Sequence, residues 1–163
     1  MKIRDLVYGA LLTAFSLLIP IAFGSYLRVF IPPFSATLAS HVPVMIAMLI
    51  NPPVALLVGA GSALGFLLIM GPVVAARAAV HMLFGYVGAV LLKQGWSYPW
   101  VLLVTAPIHA LGEALVVLPL GFTLYQGLYI VGFGTLLHHG LDALIAFLVV
   151  KAISLNFSLG HLN

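Results

Sequence analysis

Residues 73–92 read VVAARAAVHMLFGYVGAVLL, and this stretch decides the class of fold. Its length matches the roughly 20 residues that an α-helix needs to cross the hydrocarbon core of a bilayer. Gly71-Pro72 precedes it and Lys93-Gln94-Gly95 follows it, so both ends carry residues that interrupt helices. Arg77 and His81 lie four positions apart and therefore share one face of the helix. The stretch predicts a membrane-spanning helix with a polar spot on one side.

The rest of the chain has the same character. Of its 163 residues, 64% are hydrophobic and 6% are charged, whereas a soluble domain has about 25% charged residues. A soluble globular protein and a charge-rich disordered chain are therefore excluded. The few basic residues mostly end apolar runs and form no patch, which argues against nucleic-acid binding. The absence of cysteine excludes disulfides, thiolate metal sites and cysteine nucleophiles.

Breaker residues divide the chain into six apolar runs, which predict an all-α integral membrane protein with six transmembrane helices. The whole chain, residues 1–163, is expected to be a single six-helix domain. The second run is short and contains Pro43, and the first is expected to be a retained span and not a signal peptide. The predicted spans are residues 6–23, 39–50, 54–70, 73–92, 100–120 and 127–153, with a loop at 24–40.

Lysine and arginine residues near the span ends predict the orientation. Lys2, Arg4, Lys93 and Lys151 fall on one side of a six-span arrangement, and Arg28 falls in a loop on the other side. Basic residues are enriched in short cytoplasmic segments. Both termini are therefore expected in the cytoplasm, with the 24–40 loop outside.

Ionisable side chains concentrate on the last three predicted spans. Such residues are costly inside a bilayer and are candidates for function. They predict a polar cavity that opens outward and is walled by the three C-terminal spans. The alternative is that they only hold helices together, as Arg77–Glu113 and His139–Asp142 pairs. The set comprises Arg77, His81, His109, Glu113, His138, His139 and Asp142, with His41 at the outer start of the second span.

Sequence motifs for catalysis are absent. The chain has no phosphate-binding loop, no zinc-protease motif and no serine-hydrolase elbow. The spacing of His138, His139 and Asp142 would allow a metal site on one helix face. His138 and His139 are adjacent, however, so they point about 100° apart and only one of them shares a face with Asp142. No metal and no cofactor are expected. A small cavity without a visible energy source favours a binding subunit that depends on another protein to move its solute.

Two pairs of small residues are spaced for close helix contacts. Gly61 and Gly65, next to Gly59, are expected to pack within the protein. Ala10 and Ala14 lie on a span with no polar interior, so they are candidates either for internal packing or for a membrane partner.

The stretches Ala10-Leu-Leu-Thr-Ala14 and Ile31-Pro-Pro-Phe-Ser-Ala-Thr-Leu-Ala-Ser-His-Val-Pro-Val-Met45, with the short six-span layout, resemble the substrate-binding S components of energy-coupling factor (ECF) vitamin transporters. The resemblance covers essentially the whole chain. It implies that helices four to six hold a vitamin beneath a lid made by the first outer loop.

The same resemblance implies the partners. An S component docks through helix one, here Ala10 and Ala14, on a transmembrane coupling subunit that works with two ATP-binding cassette ATPases. The S component topples in the membrane to carry its pocket inward. The ATPases hydrolyse ATP, so the chain itself is expected not to be an enzyme, and its location is expected to be a prokaryotic plasma membrane.

The polar residues and the resemblance together suggest the substrate. Arg77 suits a carboxylate, because a guanidinium binds one through two parallel hydrogen bonds. His41, His81, His109, Glu113 and His139 complete the candidate substrate site. Niacin is the best match, within a resemblance to the niacin or pyridoxine type.

Alternatives remain for both the ligand and the class of protein. If Glu113 neutralises Arg77, a neutral ligand such as pyridoxine or hydroxymethylpyrimidine is favoured, and pantothenate also offers a carboxylate. A stand-alone proton-coupled transporter, with Glu113 or Asp142 as proton carrier, and a structural membrane subunit without a ligand are the alternatives from other classes.

Overall fold

The computed structural model describes residues 2–157. Five helices in this part of the chain are long and apolar enough to cross a membrane, which confirms an all-α membrane protein. A small two-stranded hairpin is the only β-structure in the described residues. The elements are α1 (Ile3–Leu27), β1 (Arg28–Ile31), β2 (Phe34–Thr37), α2 (Val42–Met48), α3 (Pro52–Ile69), α4 (Pro72–Lys93), α5 (Tyr98–Val116), a 3-10 turn (Leu118–Leu120), a π-helical stretch (Gln126–Gly132) and α6 (Phe133–Phe157).

Local sequence explains where the central helices begin. α3 starts at Pro52, and the Asn51 side chain accepts a hydrogen bond from the Val54 backbone N–H at 2.9 Å. Proline suits a first helical turn because its missing N–H would have no partner there. α4 starts at Pro72 after Gly71, whose φ of 85° is a conformation that favours glycine. The predicted third and fourth spans therefore start within two residues of their expected positions.

The second crossing differs from its prediction. Its helix α2 has seven residues, far fewer than the roughly 20 that cross a bilayer, so a count of six spanning helices is not confirmed. The chain nevertheless returns along the bundle here. Asn51 Nδ2 donates to Asp5 Oδ2 at 3.2 Å, next to the start of α1, whereas the hairpin follows the far end of α1. Non-helical backbone at residues 38–41 and α2 together make this return.

The predicted loop at 24–40 is more ordered than expected. α1 continues to Leu27, and strands β1 and β2 then pair antiparallel, with Arg28 opposite Thr37 and Ile31 opposite Phe34. Phe34 is buried, whereas β1 is exposed throughout. The hairpin therefore covers one end of the bundle with the inner face of β2.

Basic residues segregate between the two ends of the bundle. Lys2 and Arg4 lie at the start of α1, and Lys93 ends α4, which begins at the hairpin end. Lys151 belongs to the far part of α6. These four residues lie at the end opposite the hairpin, and Arg28 lies on the hairpin. The prediction that both termini lie in the cytoplasm depends on this separation of the basic residues.

Glycines allow three close helix contacts. A Cβ atom added to Gly61 or Gly65 would meet the side chains of Thr13 and Leu17, so this pair packs α3 against α1. The prediction that these glycines serve packing within the protein is confirmed. Gly59 is tighter, because its added Cβ would lie 2.6 Å from the backbone nitrogen of Met82 on α4.

We expect Gly59→Ala to lower the free energy of unfolding by about 3 kcal/mol, at the upper end of typical overpacking costs. A backbone atom cannot rotate away as a side chain can, so α3 and α4 must separate. Gly140→Ala is the matched control, since nothing lies within 4 Å of its added Cβ. Unfolding in mixed detergent micelles measures both variants. Equal stability of the two would contradict the close α3–α4 contact.

Candidate functional site

A cavity of about 260 Å³ lies beneath the hairpin. Its walls come from α1, the hairpin, the 37–41 segment, α3 and α4, and from one residue of α5. Its polar lining includes the buried side chains of Arg77, His81, His41 and Glu113. The exposed Arg28 lies at the hairpin side. Phe66, Met70, Val74 and Pro20 provide apolar surface. The cavity thus combines a few convergent polar groups with apolar walls, as ligand sites do.

The lining of this cavity includes an ion pair between Arg77 and Glu113. Glu113 Oε2 accepts from Arg77 Nε at 2.8 Å and lies 2.7 Å from Arg77 Nη2. The Thr135 hydroxyl donates to the same oxygen at 2.6 Å. Arg77 Nη1 donates to the Ser35 carbonyl oxygen at 3.0 Å, and the guanidinium lies over the Phe34 ring at 5.0 Å. Arg77 therefore joins α4 to α5 and to the hairpin.

A chain of imidazoles continues from Glu113 towards the core. His109 Nε2 lies 3.2 Å from Glu113 Oε1. On its other side, His109 Nδ1 lies 3.0 Å from His139 Nδ1. His139 Nε2 then lies 2.9 Å from the Leu102 carbonyl oxygen. The two histidines are completely buried and pack around Phe84, whose ring centre is 4.3 Å from that of His109.

Four histidine rings meet at His41. The ring centres of His81, His109 and His138 each lie 4.6 Å from that of His41. The ring centres of His81 and His109 lie 5.3 Å apart. His81 Nδ1 lies 3.4 Å from the Ser62 hydroxyl. Within the described residues, His81 Nε2, His41 Nδ1 and His138 Nδ1 are buried without a hydrogen-bond partner.

Asp142 on α6 accepts hydrogen bonds from the non-helical residues that precede α2. Its two carboxylate oxygens accept from the backbone N–H groups of Ala39 at 2.6 Å and His41 at 2.9 Å. His138 Nε2 lies 3.0 Å from the Thr37 carbonyl oxygen and 3.6 Å from Asp142. In a bilayer every backbone polar group must find a partner within the protein. These contacts supply partners at the point where the helix is missing.

The six residues predicted for the substrate site come together, but in two layers. Arg77, His81, His41 and Glu113 line the cavity, whereas His109 and His139 lie behind it. The expected wall of three C-terminal spans is wrong, because α6 contributes no lining residue in the described part of the chain. Of the two pairs that the sequence suggested, Arg77–Glu113 is present. Asp142 instead contacts His41 and His138.

Some contributors were not identified from sequence. Thr135 lies four residues before His139 on one face of α6, so helical spacing was a signal that could have found it. The Ser35 carbonyl and the Phe34 ring could not have been found in this way, because they reach Arg77 through the fold of the hairpin.

Ala10 and Ala14 lie on the outer face of α1 and are exposed. They are surrounded by exposed apolar side chains, including Leu6, Leu11, Phe15 and Leu18. α1 is also the least buried of the spanning helices. The pair therefore takes no part in the internal packing that Gly61 and Gly65 provide.

Comparison with known proteins adds one similarity. A stretch of 94 residues, 57% of this chain, is 42% identical to a protein named Niacin transporter NiaX from Lactococcus lactis subsp. cremoris (strain MG1363). The match spans 41% of that relative's length. No family model and no solved structure matches the chain. The chain is therefore similar, over part of its length, to a protein named as a niacin transporter, and its five long apolar helices are those of a multi-pass membrane protein.

Proposed function

We propose that the chain is the substrate-binding S component of an ATP-driven ECF transporter and that it captures niacin from outside the cell. The observation that carries the proposal is the 42% identity to a protein named as a niacin transporter. Niacin binds in the cavity beneath the hairpin, and delivery depends on a coupling subunit and two ATPases. No catalytic step is assigned to this chain.

The size and chemistry of the cavity support a small anion. Sites for drug-sized ligands have about 300–1,000 Å³, so a cavity of about 260 Å³ suits a single aromatic ring with one substituent. Arg77 has five N–H donors. Its contacts with Glu113 and Ser35 use three of them among the described residues. The remaining two N–H groups have no partner among the described residues and are available to a ligand carboxylate, and Arg28 is a second cation in the cavity lining.

The Arg77–Glu113 contact also supports the second candidate, a neutral ligand. The carboxylate cancels the charge of the guanidinium, so pyridoxine or hydroxymethylpyrimidine would enter without displacing an ion pair. His41 and His81 line the cavity for either type of ligand.

The proton-coupled alternative has less support. Asp142 holds two backbone N–H groups, and its protonation would weaken contacts that complete the second crossing. Glu113 holds Arg77 and Thr135. Both carboxylates therefore have structural partners that a proton carrier would have to release. Niacin uptake in cells without any ECF coupling subunit would favour this alternative.

Ligand binding to the purified protein tests the proposal. We expect nicotinate at a hundredfold its dissociation constant to stabilise the protein by about 2.7 kcal/mol, and nicotinamide, which lacks the carboxylate, to bind more weakly. Calorimetry and thermal unfolding with nicotinate, nicotinamide, pyridoxine, hydroxymethylpyrimidine and pantothenate would identify the ligand. Comparison of Arg28→Gln with Arg77→Met shows which of the two lining cations the nicotinate carboxylate needs. Tight binding of pyridoxine alone would replace niacin with the neutral candidate.

Docking on a coupling subunit would use the exposed face of α1 that carries Ala10 and Ala14. Small residues let two helices approach closely. We expect the double variant Ala10→Leu/Ala14→Leu to bind niacin normally and to lose most niacin uptake when a coupling module is present. Gly140→Leu adds similar bulk to an exposed position on α6 and should keep uptake. Normal uptake by the α1 variant would place the docking face elsewhere.

A further inference from the structure

The hydrogen bonds of His109 fix which of its nitrogens carries a proton. The Leu102 carbonyl oxygen can only accept, so His139 must donate to it through Nε2–H. A neutral His139 then has a bare Nδ1, which accepts from His109 Nδ1–H. Neutral His109 is left with a bare Nε2. This lone pair lies 3.2 Å from the negatively charged Glu113 Oε1, an arrangement that is repulsive unless His109 takes up a second proton or a metal ion lies between the two atoms.

The same reasoning applies to His81. The Ser62 hydroxyl donates to the Gly59 carbonyl oxygen at 2.9 Å. Its oxygen can therefore accept from His81 Nδ1–H, although the 3.4 Å distance is long. His81 is then left with a bare Nε2 that is buried and has no hydrogen-bond partner in the described residues. That nitrogen lies 3.9 Å from Glu113 Oε1.

Two nitrogen lone pairs and one carboxylate oxygen thus converge on one point at the inner wall of the cavity. His41 is the fourth member, because ligand atoms of His41, His81, His109 and Glu113 all lie within 4.8 Å of one another. We propose that these four residues bind a divalent transition-metal ion, with zinc as the leading candidate. The site differs from the His138–His139–Asp142 cluster that the sequence suggested, and it replaces the expectation of no metal.

The distances suit a small tetrahedral ion. Zinc bonds of about 2.0–2.1 Å to nitrogen and oxygen place neighbouring ligand atoms about 3.3 Å apart. The His109–Glu113 separation of 3.2 Å already has this length. The wider His81–Glu113 separation of 3.9 Å closes when an ion draws the side chains together. Imidazole ligands favour zinc, cobalt and nickel over magnesium or calcium.

Surrounding groups are placed to orient the ligands. Metal-binding histidines usually donate their second N–H to a carboxylate, carbonyl or similar acceptor. Asp142 Oδ2 lies 3.0 Å from His41 Nδ1, which favours the tautomer whose Nε2 is free for the ion. Ser62 does the same for His81, and His139 does it for His109. His81 and His109 therefore have an acceptor on the nitrogen away from the site, and His41 has a carboxylate oxygen near that nitrogen, although the two do not form a hydrogen bond.

With a divalent ion bound, the net charge of the cluster is positive and favours an anionic ligand in the cavity. Arg77 and Glu113 cancel each other, and Asp142 offsets half of a doubly charged ion, which leaves one positive charge beside the cavity. A carboxylate in the cavity would neutralise it. This last step rests on the proposed function, whereas the metal site itself does not.

Metal binding to untagged, chelator-treated protein in detergent, without any vitamin, tests the proposal. Cobalt should bind as one ion per chain and give the intense visible bands of tetrahedral coordination, and zinc should displace it. Absence of stoichiometric binding by the wild-type protein, or the weak bands of octahedral cobalt, would overturn the site. Failure of niacin to bind would leave these outcomes unchanged, so the two proposals fail separately.

Variants locate the ion. His81→Gln and His109→Gln should each weaken cobalt binding by more than the ten- to hundredfold typical of lost orienting groups, and Ser62→Ala should weaken it by about tenfold. His138→Gln is the matched control, because it removes a buried imidazole that touches His41 but lies outside the four ligands. Retention in His81→Gln with loss in His138→Gln would move the ion to His41, His138 and Asp142 and overturn the proposed set.

Discussion

Replacement of Arg77 by methionine should lower the free energy of unfolding by about 3–5 kcal/mol and abolish nicotinate binding. The stability loss follows because Glu113 stays buried without its counter-charge, and unpaired buried charges cost this much. The binding loss follows because Arg77 is the buried cation of the cavity lining, whereas Arg28 is exposed. Unfolding in mixed micelles and calorimetry measure the two effects on the same preparation. Arg28→Met, on the exposed strand, should change stability by less than about 0.5 kcal/mol.

A double variant separates the two roles of Arg77. Glu113→Gln alone also leaves a buried charge unpaired, so it should be costly too. Arg77→Met/Glu113→Gln removes both charges and should recover much of the lost stability, since contacting residues are not additive. It should not recover nicotinate binding. Additive stability losses would contradict a direct ion pair, and nicotinate binding by the double variant would remove Arg77 from the substrate site.

Asp142→Asn should be nearly as damaging, with a loss of about 3 kcal/mol. The carboxylate accepts two backbone hydrogen bonds, from Ala39 and His41, and bonds to charged groups contribute about 1.5–3 kcal/mol each. An asparagine can accept one of them, but its amide group then faces the other N–H. Faster hydrogen exchange at the Ala39 and His41 amides would show that the damage is local to this segment.

Asp5→Asn is the control for that substitution. Asp5 also accepts one backbone N–H, from Lys2, and one side-chain N–H, from Asn51, but it lies at the end of the bundle, and its contact with Lys2 is exposed. Solvent can replace a lost partner there, so we expect less than about 1 kcal/mol. An equal effect of the two aspartate variants would contradict the special role of Asp142.

The helices and part of the site were predictable because each depends on local pattern. Apolar runs with breaker residues indicated α3, α4 and α5 closely, and spacing of four placed His109 beside Glu113. The Arg77–Glu113 contact is one of the two pairs that the sequence offered as an alternative to a polar cavity, and the structure contains it. Such inferences need only helix periodicity and the cost of an unpaired charge in a bilayer.

The shape of the cavity was not predictable, because it depends on contacts between distant parts of the chain. The run at 39–50 looks like a short span, and nothing local shows that its first residues are held by a carboxylate about a hundred positions away. The hairpin has a similar origin. Its strand β2 is ordered by Phe34 under the Arg77 guanidinium and by the Ser35 carbonyl. These contacts move the cavity wall from α6 to the hairpin.

The non-helical residues of the second crossing also bear on biogenesis. Five helices satisfy their own backbone and can each enter the bilayer as they leave the ribosome. The residues before α2 cannot, because their partners Asp142 and His138 belong to α6, which is made about a hundred residues later. The second crossing therefore has to wait at the membrane surface, or in the translocation machinery, until α6 has been made.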